Sequence, residues 1–200
     1  MTAALRSFRR LCVFCGSSHG SNPAYAEAAA HAGKELASRG IGLVYGGGNV
    51  GLMGVLADSV LAAGGQVTGV IPEALMAKEV GHRGLPDLRV VKTMHERKAL
   101  MAELADGFVA LPGGIGTFEE FFEIVTWAQL GLHSKPCGLL NVNGFYDPLL
   151  RLLDHAIAER FVKPKQRDLV IAEADFGALL ARMAHHHVSH EPKWIGKEII

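Results

Sequence analysis

The chain has 200 residues, of which 49% are hydrophobic, and its 20 basic and 20 acidic side chains give a formal net charge of zero. This composition excludes a disordered chain, and the absence of a basic surplus argues against bulk binding of nucleic acid or of an anionic membrane. A phosphate group would therefore have to be held locally. The length predicts one domain, placed at residues 1–184, followed by a tail at 185–200.

The N-terminal stretch and the cysteines favour a reducing, cytoplasmic location. Basic residues precede an apolar run that is too short for a signal peptide or a membrane span. Cys12, Cys15 and Cys137 are odd in number and lack the spacing of a disulfide framework. Cys12 and Cys15 form a C-x-x-C, the spacing of a redox or metal pair. Residues three apart on a strand point to opposite faces, so we expect buried structural thiols instead.

Short β-rich runs alternate with helical patterns along the chain. Seven strands are predicted, at 10–16, 41–48, 66–72, 88–92, 107–111, 136–142 and 169–173. Six helices are predicted, at 21–40, 52–65, 94–105, 117–131, 147–161 and 176–186. The first of them has Asn22 as N-cap, Pro23 at its first position and Gly40 beyond its end. Such alternation predicts an α/β fold, a Rossmann-like three-layer sandwich with a mostly parallel sheet of about seven strands.

Three loops that follow predicted strands are rich in glycine or small residues. They are CGSSHGS from Cys15, YGGGNVGLMG from Tyr45 and LPGGIGT from Leu111. Ligands of open α/β sheets bind at the carboxyl ends of the strands, so these loops form the candidate site.

The segment GGGNVG at residues 46–51 is formally G-x-G-x-x-G, the pattern of a dinucleotide site. It follows the second strand rather than the first, and no acidic residue clearly ends the next strand. Both features argue against an NAD or FAD site. Nucleotide or phosphate contact and a purely structural tight turn are the other two interpretations.

The stretch LPGGIGTFEE, from Leu111, predicts an anion cradle. Its three glycines are expected to adopt backbone geometries that a Cβ would forbid, and the following helix offers free N–H groups and the positive end of its dipole. Thr117 adds a hydroxyl, but no lysine follows as in a Walker A sequence, which argues against ATP hydrolysis. The alternative is a structural turn whose following carboxylates only satisfy the helix dipole.

Charged residues on two helices predict acid–base chemistry. Glu120 and Glu123 lie three residues apart on an apolar helix, so we expect each to perturb the protonation of the other. Arg97 and Lys98 lie on the preceding helix, where a cation on a partly apolar stripe either reaches the surface or points into a cleft.

MHERKALM followed by PGGIGTFEE resembles the paired signature of the LOG family, the cytokinin riboside 5′-monophosphate phosphoribohydrolases, which carry R-K-x-x-M and P-G-G-x-G-T-x-x-E. CVFCGSS, YGGGNVGLMG and VIPEALMAKEV are similar to the same family in order and spacing, and the resemblance extends to about Met183. It implies hydrolysis of the N-glycosidic bond of an adenine-type nucleoside 5′-monophosphate to free base and ribose 5-phosphate. It also implies a homodimer that uses no metal or organic cofactor.

The resemblance implies that Arg97 and Glu120 are the catalytic pair. It implies substrate contacts at Glu79, Arg97, Lys98, Gly114, Ile115, Gly116, Thr117, Phe118, Glu119, Glu120 and Thr126. The glycine-rich loops and the helix that follows one of them add Gly16, Ser17, Gly47, Gly48, Met53 and Gly113.

The expected chemistry agrees with these residue types. Cleavage develops positive charge on the sugar and negative charge on the leaving base. Glu120 beside C1′ would stabilise the first charge and orient or deprotonate the attacking water, while Arg97 would either stabilise negative charge or hold the carboxylate in place. Met53, Met94 and Met101 are expected around the base, where flexible side chains accept both AMP and a prenylated nucleotide.

Two other functions and one other site compete with this interpretation. A non-catalytic carrier or sensor of a nucleotide or molybdenum cofactor would use the same fold, although the presence of both Arg97 and Glu120 favours an enzyme. An NAD-dependent oxidoreductase is the third possibility. A metal site in the tail is not expected, because three consecutive histidines cannot all point one way from a helix. The tail histidines are His185, His186, His187 and His190.

Overall fold

The computed structural model describes residues 6–76 and 81–186 of the chain. Its strands are β1 (Arg10–Phe14), β2 (Gly42–Tyr45), β3 (Val67–Pro72), β4 (Asp87–Val91), β5 (Gly107–Ala110), β6 (Cys137–Leu140) and β7 (Val170–Glu173). Its α-helices are α1 (Pro23–Ser38), α2 (Gly51–Ala62), α3 (Glu73–Met76), α4 (Met94–Leu104), α5 (Ile115–Gln129), α6 (Asp147–Ala158) and α7 (Phe176–His185). Two 3₁₀ segments lie at Val142–Gly144 and Pro164–Leu169.

The strands form one parallel sheet in the order β4-β3-β2-β1-β5-β6-β7. This confirms the predicted α/β fold and its sheet. The chain winds outward from β1 to β4, then returns through α4 and winds the other way from β5. The order reverses between β1 and β5, and this switch point is where open α/β sheets bind their ligands.

Helices cover both faces of the sheet, which gives the three predicted layers. On β1, Leu11 and Val13 belong to the core beneath α1, α2 and α7, whereas Cys12 and Phe14 belong to the core beneath α4 and α5. Cys15, just beyond the strand, returns to the first core. The two thiols of the C-x-x-C therefore lie on opposite faces, as the strand alternation predicts. All three cysteines are free and buried, and desolvation raises the pKa of each thiol.

Local signals explain how individual helices begin and end. Asn22 caps α1 by accepting a hydrogen bond from the Ala24 amide at 3.0 Å, Pro23 follows, and Gly40 takes φ +67° after the helix. The four-residue helix α3 was not predicted, since it is too short to carry a hydrophobic period. In the described part of the chain, no helix has the length and apolarity needed to cross a membrane.

Candidate active site

The three glycine-rich loops meet at the carboxyl edge of the sheet, around the switch point. The Gly16 amide, after β1, donates to the Pro112 carbonyl after β5 at 3.1 Å. The Gly16 carbonyl accepts from the Leu52 amide at the start of α2 at 3.0 Å. A Cβ at Gly16 would lie 3.3 Å from the Gly113 Cα, so a glycine here allows the loops to approach closely. The loop after β1 is thus bonded to both of the others.

Arg97 is fixed by contacts on three sides of its guanidinium group. Its Nε donates to the Val70 carbonyl in β3 at 3.1 Å, and its Nη1 donates to Glu120 Oε1 at 2.7 Å. On the third side lies Gly46, where a Cβ would collide with Nη2. The Arg97 and Glu120 side chains are only 10% and 11% exposed. The interpretation of Arg97 as a surface cation is therefore wrong, and its charge points inward to a carboxylate.

The Glu120 carboxyl has an unusual electrostatic environment. Desolvation by burial raises its pKa above the ordinary value, although the adjacent Arg97 acts in the opposite direction. The negative charge of Glu119 raises the pKa further. The neighbouring carboxylate that raises the pKa of Glu120 is thus Glu119 and not Glu123, which was expected from the sequence. A buried carboxylate with a raised pKa beside a fixed cation is typical of acid–base sites.

Lys98 is engaged by two other carboxylates of α5. Its Nζ lies 2.7 Å from Glu119 Oε1 and 3.0 Å from both oxygens of Glu123. Desolvation lowers the pKa of the Lys98 ammonium group, but the hydrogen bonds to Glu119 and Glu123 outweigh it and the net shift is upward. Consecutive residues of α4 therefore hold separate carboxylates on α5, which fixes the two helices to each other at the site.

The turn between β5 and α5 leaves an open helix N-terminus. Helix α5 begins at Ile115, and its N-cap residue, Gly114, provides no side-chain cap for the first amides. Apart from the adjacent residues and the backbone of α5 itself, no heavy atom of the described residues lies within 4 Å of a Cβ built at Gly114 or Gly116. At Gly113, by contrast, a Cβ would collide with Thr117. The predicted backbone requirement for glycine thus holds for Gly113 and is wrong for the other two, which face open space with negative φ or extended backbone.

The loop after β2 packs against the segment that precedes β4, and the substrate contacts expected of Gly47 and Gly48 stay a prediction. Gly47 takes φ +72° and its carbonyl accepts from the His82 amide at 2.8 Å, while Gly48 pairs with Gly81. Both Gly47 and Gly48 are buried by this contact with the segment that precedes β4. The glycine that faces Arg97 is Gly46, which the sequence did not single out.

Comparisons with known proteins show which family the chain belongs to. A family model described as "Possible lysine decarboxylase" matches residues 53–183. The curated "Probable cytokinin riboside 5'-monophosphate phosphoribohydrolase LOGL1" of Oryza sativa subsp. japonica is 51% identical over 184 residues, which cover 92% of this chain and 82% of that protein. "Cytokinin riboside 5'-monophosphate phosphoribohydrolase LOG3" of Arabidopsis thaliana is 47% identical over 92% of this chain and 86% of its own length. The chain belongs to the LOG family.

Solved structures support the fold of this LOG-family chain. The molybdenum cofactor carrier protein of Chlamydomonas reinhardtii has a TM-score of 0.64 at 22% identity, covering 88% of this chain and 96% of that one. The molybdenum cofactor binding protein of Rippkaea orientalis has a TM-score of 0.63 at 20% identity, covering 86% and 92%. Identities this low show that the architecture is shared and carry no information about the ligand.

Some of the remaining predicted residues of the LOG-family site are open to a ligand, and the others are partly or fully buried. Ile115 is 82% exposed at the start of α5, and Ser17 is exposed in the loop after β1, so both are open to a ligand. Met53 is half-buried, and its Sδ lies 3.6 Å from a Cβ built at Gly46. Phe118 is half-buried and packs against aromatic rings, whereas Thr117 is buried behind the turn.

Two other predicted residues, Thr126 and Met101, are not brought to the pair. Thr126 lies about 120° around α5 from Glu120, is exposed, and donates to the Phe122 carbonyl at 2.7 Å. Met101 is buried in the core, so its predicted place around the base is wrong, while Met94 is exposed. Glu79 lies outside the described residues.

The tail is described only in part. His185 donates a hydrogen bond from Nδ1 to the Ala181 carbonyl at 2.7 Å, and helix α7 ends at this residue. His187 and His190 lie outside the described residues, so the expectation for the tail stays a prediction. Among residues 6–76 and 81–186, no three or more His, Cys, Asp or Glu side chains are grouped as metal ligands.

Two residues that hold the site in place were not identified from the sequence. The Val70 carbonyl fixes Arg97, and the Tyr146 hydroxyl donates to the Leu111 carbonyl at 2.6 Å, immediately before the turn that leads to α5. Every residue has a backbone carbonyl oxygen, so residue types do not reveal which of them binds Arg97. Tyr146 belongs to FYDPLL, a segment in which an aromatic residue is equally consistent with ordinary core packing.

Proposed function

We propose that this chain hydrolyses the N-glycosidic bond of adenine-type nucleoside 5′-monophosphates, a cytokinin riboside 5′-monophosphate or AMP, to free base and ribose 5-phosphate. The observation that carries the proposal is the buried ion pair of Arg97 and Glu120 beside the open N-terminus of α5. The names of the curated relatives support the same reaction.

The 5′-phosphate binds at residues 112–117, the turn that leads into α5, which we call the phosphate cradle. Free amides and the positive end of the helix dipole attract an anion, and Gly114 and Gly116 leave room for it to approach the backbone. Binding there fixes the ribose, so the binding energy of the phosphate serves to orient the sugar for the reaction. Backbone amides bind the phosphate without a cationic side chain at the turn, so a net charge of zero is compatible with phosphate binding.

Glu120 acts one helical turn after the cradle, where the sugar carbon lies. Water adds to C1′, the C1′–N bond breaks, and its electron pair leaves with the base, which takes up a proton. Glu120 stabilises the positive charge on the sugar and accepts a proton from the water. Its raised pKa makes it a stronger base than an ordinary carboxylate. Arg97 has its Nε and Nη1 engaged by Val70 and Glu120, so its role is to hold the carboxylate in place.

The test of this proposal is a chromatographic assay of purified protein with AMP, isopentenyladenosine monophosphate and the two unphosphorylated nucleosides. We expect free base from the monophosphates and little from the nucleosides, because only the former occupy the cradle. The ratio of kcat/KM for the two monophosphates ranks the candidate substrates. Release of base at equal rates with and without the phosphate would contradict the proposal.

A carrier or sensor of the same fold is the competing outcome. It predicts tight nucleotide or cofactor binding with no release of base from any of the four compounds. The pairing of Glu120 with Arg97 favours the enzyme, since a carrier needs no buried base beside its ligand.

We further propose that the protein is a cytoplasmic homodimer, as the family resemblance implies. Leu152 on α6 is 61% exposed and Phe161, just after this helix, is 88% exposed, so each is available for a contact between subunits. Sedimentation equilibrium returning the mass of one chain at micromolar concentration would contradict the dimer.

The Glu119→Gln variant should shift the pH dependence of the reaction. Glu119 raises the pKa of Glu120, so neutralising it should lower that pKa and move the acidic limb of kcat/KM to lower pH. The ionised base then persists under more acidic conditions. Profiles between pH 4 and 8 measure the shift. An acidic limb that stays in place or moves upward would show that Glu119 does not tune the base.

A further inference from the structure

We propose that Tyr146 is a positioning residue that holds the phosphate cradle in its binding geometry. This inference rests on the proposed function, since it assigns a role to a residue near the same site. Tyr146 lies after β6, on the far side of β5 from the loop that follows β1. The cradle is therefore held between supports from two neighbouring strands.

The first contact of Tyr146 is with the residue that precedes the cradle. Its hydroxyl donates to the Leu111 carbonyl at 2.6 Å. Leu111 is fully buried, so this hydrogen bond satisfies a carbonyl that water does not reach. The Leu111 amide is meanwhile held by the Phe14 carbonyl at 2.9 Å. Both polar backbone groups of Leu111 are thus fixed immediately before the chain turns at Pro112.

The second contact is with the residue that follows the cradle. The Phe118 ring lies with its centroid 6.4 Å from that of Tyr146 and 6.4 Å from that of Phe145. Phe145 and Tyr146 are themselves in an edge-to-face contact at 5.0 Å. The same aromatic pair therefore touches the chain on both sides of the cradle, and Glu120 follows Phe118 by two residues.

Tyr146 is itself held rigidly. Asn141 Oδ1 accepts from the Tyr146 amide at 2.7 Å, while Asn141 Nδ2 donates to Asp147 Oδ1 at 2.7 Å. The intervening turn takes positive φ at Asn143 and Gly144, a sharp reversal that brings the two aromatic residues beneath the cradle. The Tyr146 side chain is buried, so its hydroxyl has a fixed partner rather than a choice of solvent.

The cradle itself needs such support. Its amides bind a phosphate only while several N–H groups point to one place, and Gly113, Gly114 and Gly116 make this stretch intrinsically flexible. A support that fixes both of its ends restricts that flexibility. Its loss should weaken the binding of phosphate-bearing ligands, while the binding of a free base, which does not occupy the cradle, should not change.

The experiment measures the binding of ribose 5-phosphate and of adenine to Tyr146→Phe by isothermal titration calorimetry. This variant keeps the ring and removes only the hydroxyl. The matched control is Tyr25→Phe, since Tyr25 packs on Phe145 at 5.7 Å and loses a hydroxyl from the same aromatic cluster. We expect Tyr146→Phe to bind ribose 5-phosphate about tenfold more weakly than the wild type, which is the effect of one hydrogen bond. Its affinity for adenine should not change. Tyr25→Phe should bind both ligands like the wild type.

The outcomes separate this inference from the proposed function. Wild-type affinity of Tyr146→Phe for ribose 5-phosphate, or an equal loss for adenine, would overturn the positioning role. If the wild type binds ribose 5-phosphate but releases no base from AMP, the proposed hydrolysis is wrong. The comparison of affinities still tests the role of Tyr146. Should Tyr146→Phe not fold, Asn141→Ser removes the side-chain carbonyl that fixes the Tyr146 backbone. A stable Asn141→Ser variant should also lose affinity for ribose 5-phosphate, and an unchanged affinity would overturn the role.

Discussion

The Glu120→Gln variant is expected to lose at least about 10³-fold in kcat with AMP, within the range of general acid–base catalysis. Glutamine keeps the size of the side chain and can still accept a hydrogen bond from Arg97, so the site should keep its shape. It cannot carry the negative charge that stabilises C1′, nor accept a proton from water. Chromatographic release of adenine measures turnover, and calorimetry with ribose 5-phosphate should show binding close to that of the wild type.

The matched control is Glu123→Gln, on the same helix. Glu123 is held by Lys98 rather than by Arg97, so neutralising it removes a nearby charge without touching the pair. This variant should retain most of its activity. Near-normal kcat in Glu120→Gln, or an equal loss in both variants, would remove Glu120 from its role.

Arg97→Met should reduce both activity and stability. Glu120 would be left buried without its cation, and breaking a buried ion pair from one side costs about 3–5 kcal/mol of unfolding free energy. Its pKa should rise further, because the interaction with Arg97 that lowers it is gone. We expect kcat near neutral pH to fall by about 10²-fold or more, since the carboxylate would lose the cation that holds it in place and would be protonated over a wider range of pH. Urea unfolding followed by circular dichroism measures the stability.

A double variant, Arg97→Met with Glu120→Leu, distinguishes the two effects. Replacing a whole buried pair with apolar side chains is often close to neutral, so most of the lost stability should return while the protein stays inactive. If Arg97→Met unfolds at the same urea concentration as the wild type, the pair contributes nothing to the fold. If the double variant is as unstable as Arg97→Met, the cost does not come from the unpaired carboxylate.

Most of the fold could be predicted from sequence because its signals are local. The strands β1, β2 and β5 are short, largely apolar runs that lead into glycine-rich loops, and Asn22 with Pro23 marks the start of α1 within a few positions. The alternation of strands and helices then restricts the architecture to a parallel sheet with two helical layers. The carboxyl edge of that sheet follows from the architecture, which is why three loops far apart in sequence could be assigned to one site.

The partners within the site could not be predicted in the same way. Three carboxylates of α5 lie within one and a half turns, and the choice of which meets Arg97 and which meets Lys98 depends on how α4 and α5 cross. Tyr146 and Leu111 are 35 residues apart and are joined by a single hydroxyl. Such contacts depend on tertiary distances, which residue types alone do not encode.

The anchoring of Arg97 determines which positions near the site can vary. One of its partners is the main-chain oxygen of Val70, which is present whatever side chain occupies that position. Position 70 is therefore free to exchange one apolar residue for another without releasing the guanidinium group. At Gly46 the reverse holds, because every other amino acid carries a Cβ that would displace Arg97. In a saturation library selected for activity, position 70 should accept several residues, whereas position 46 should return glycine alone.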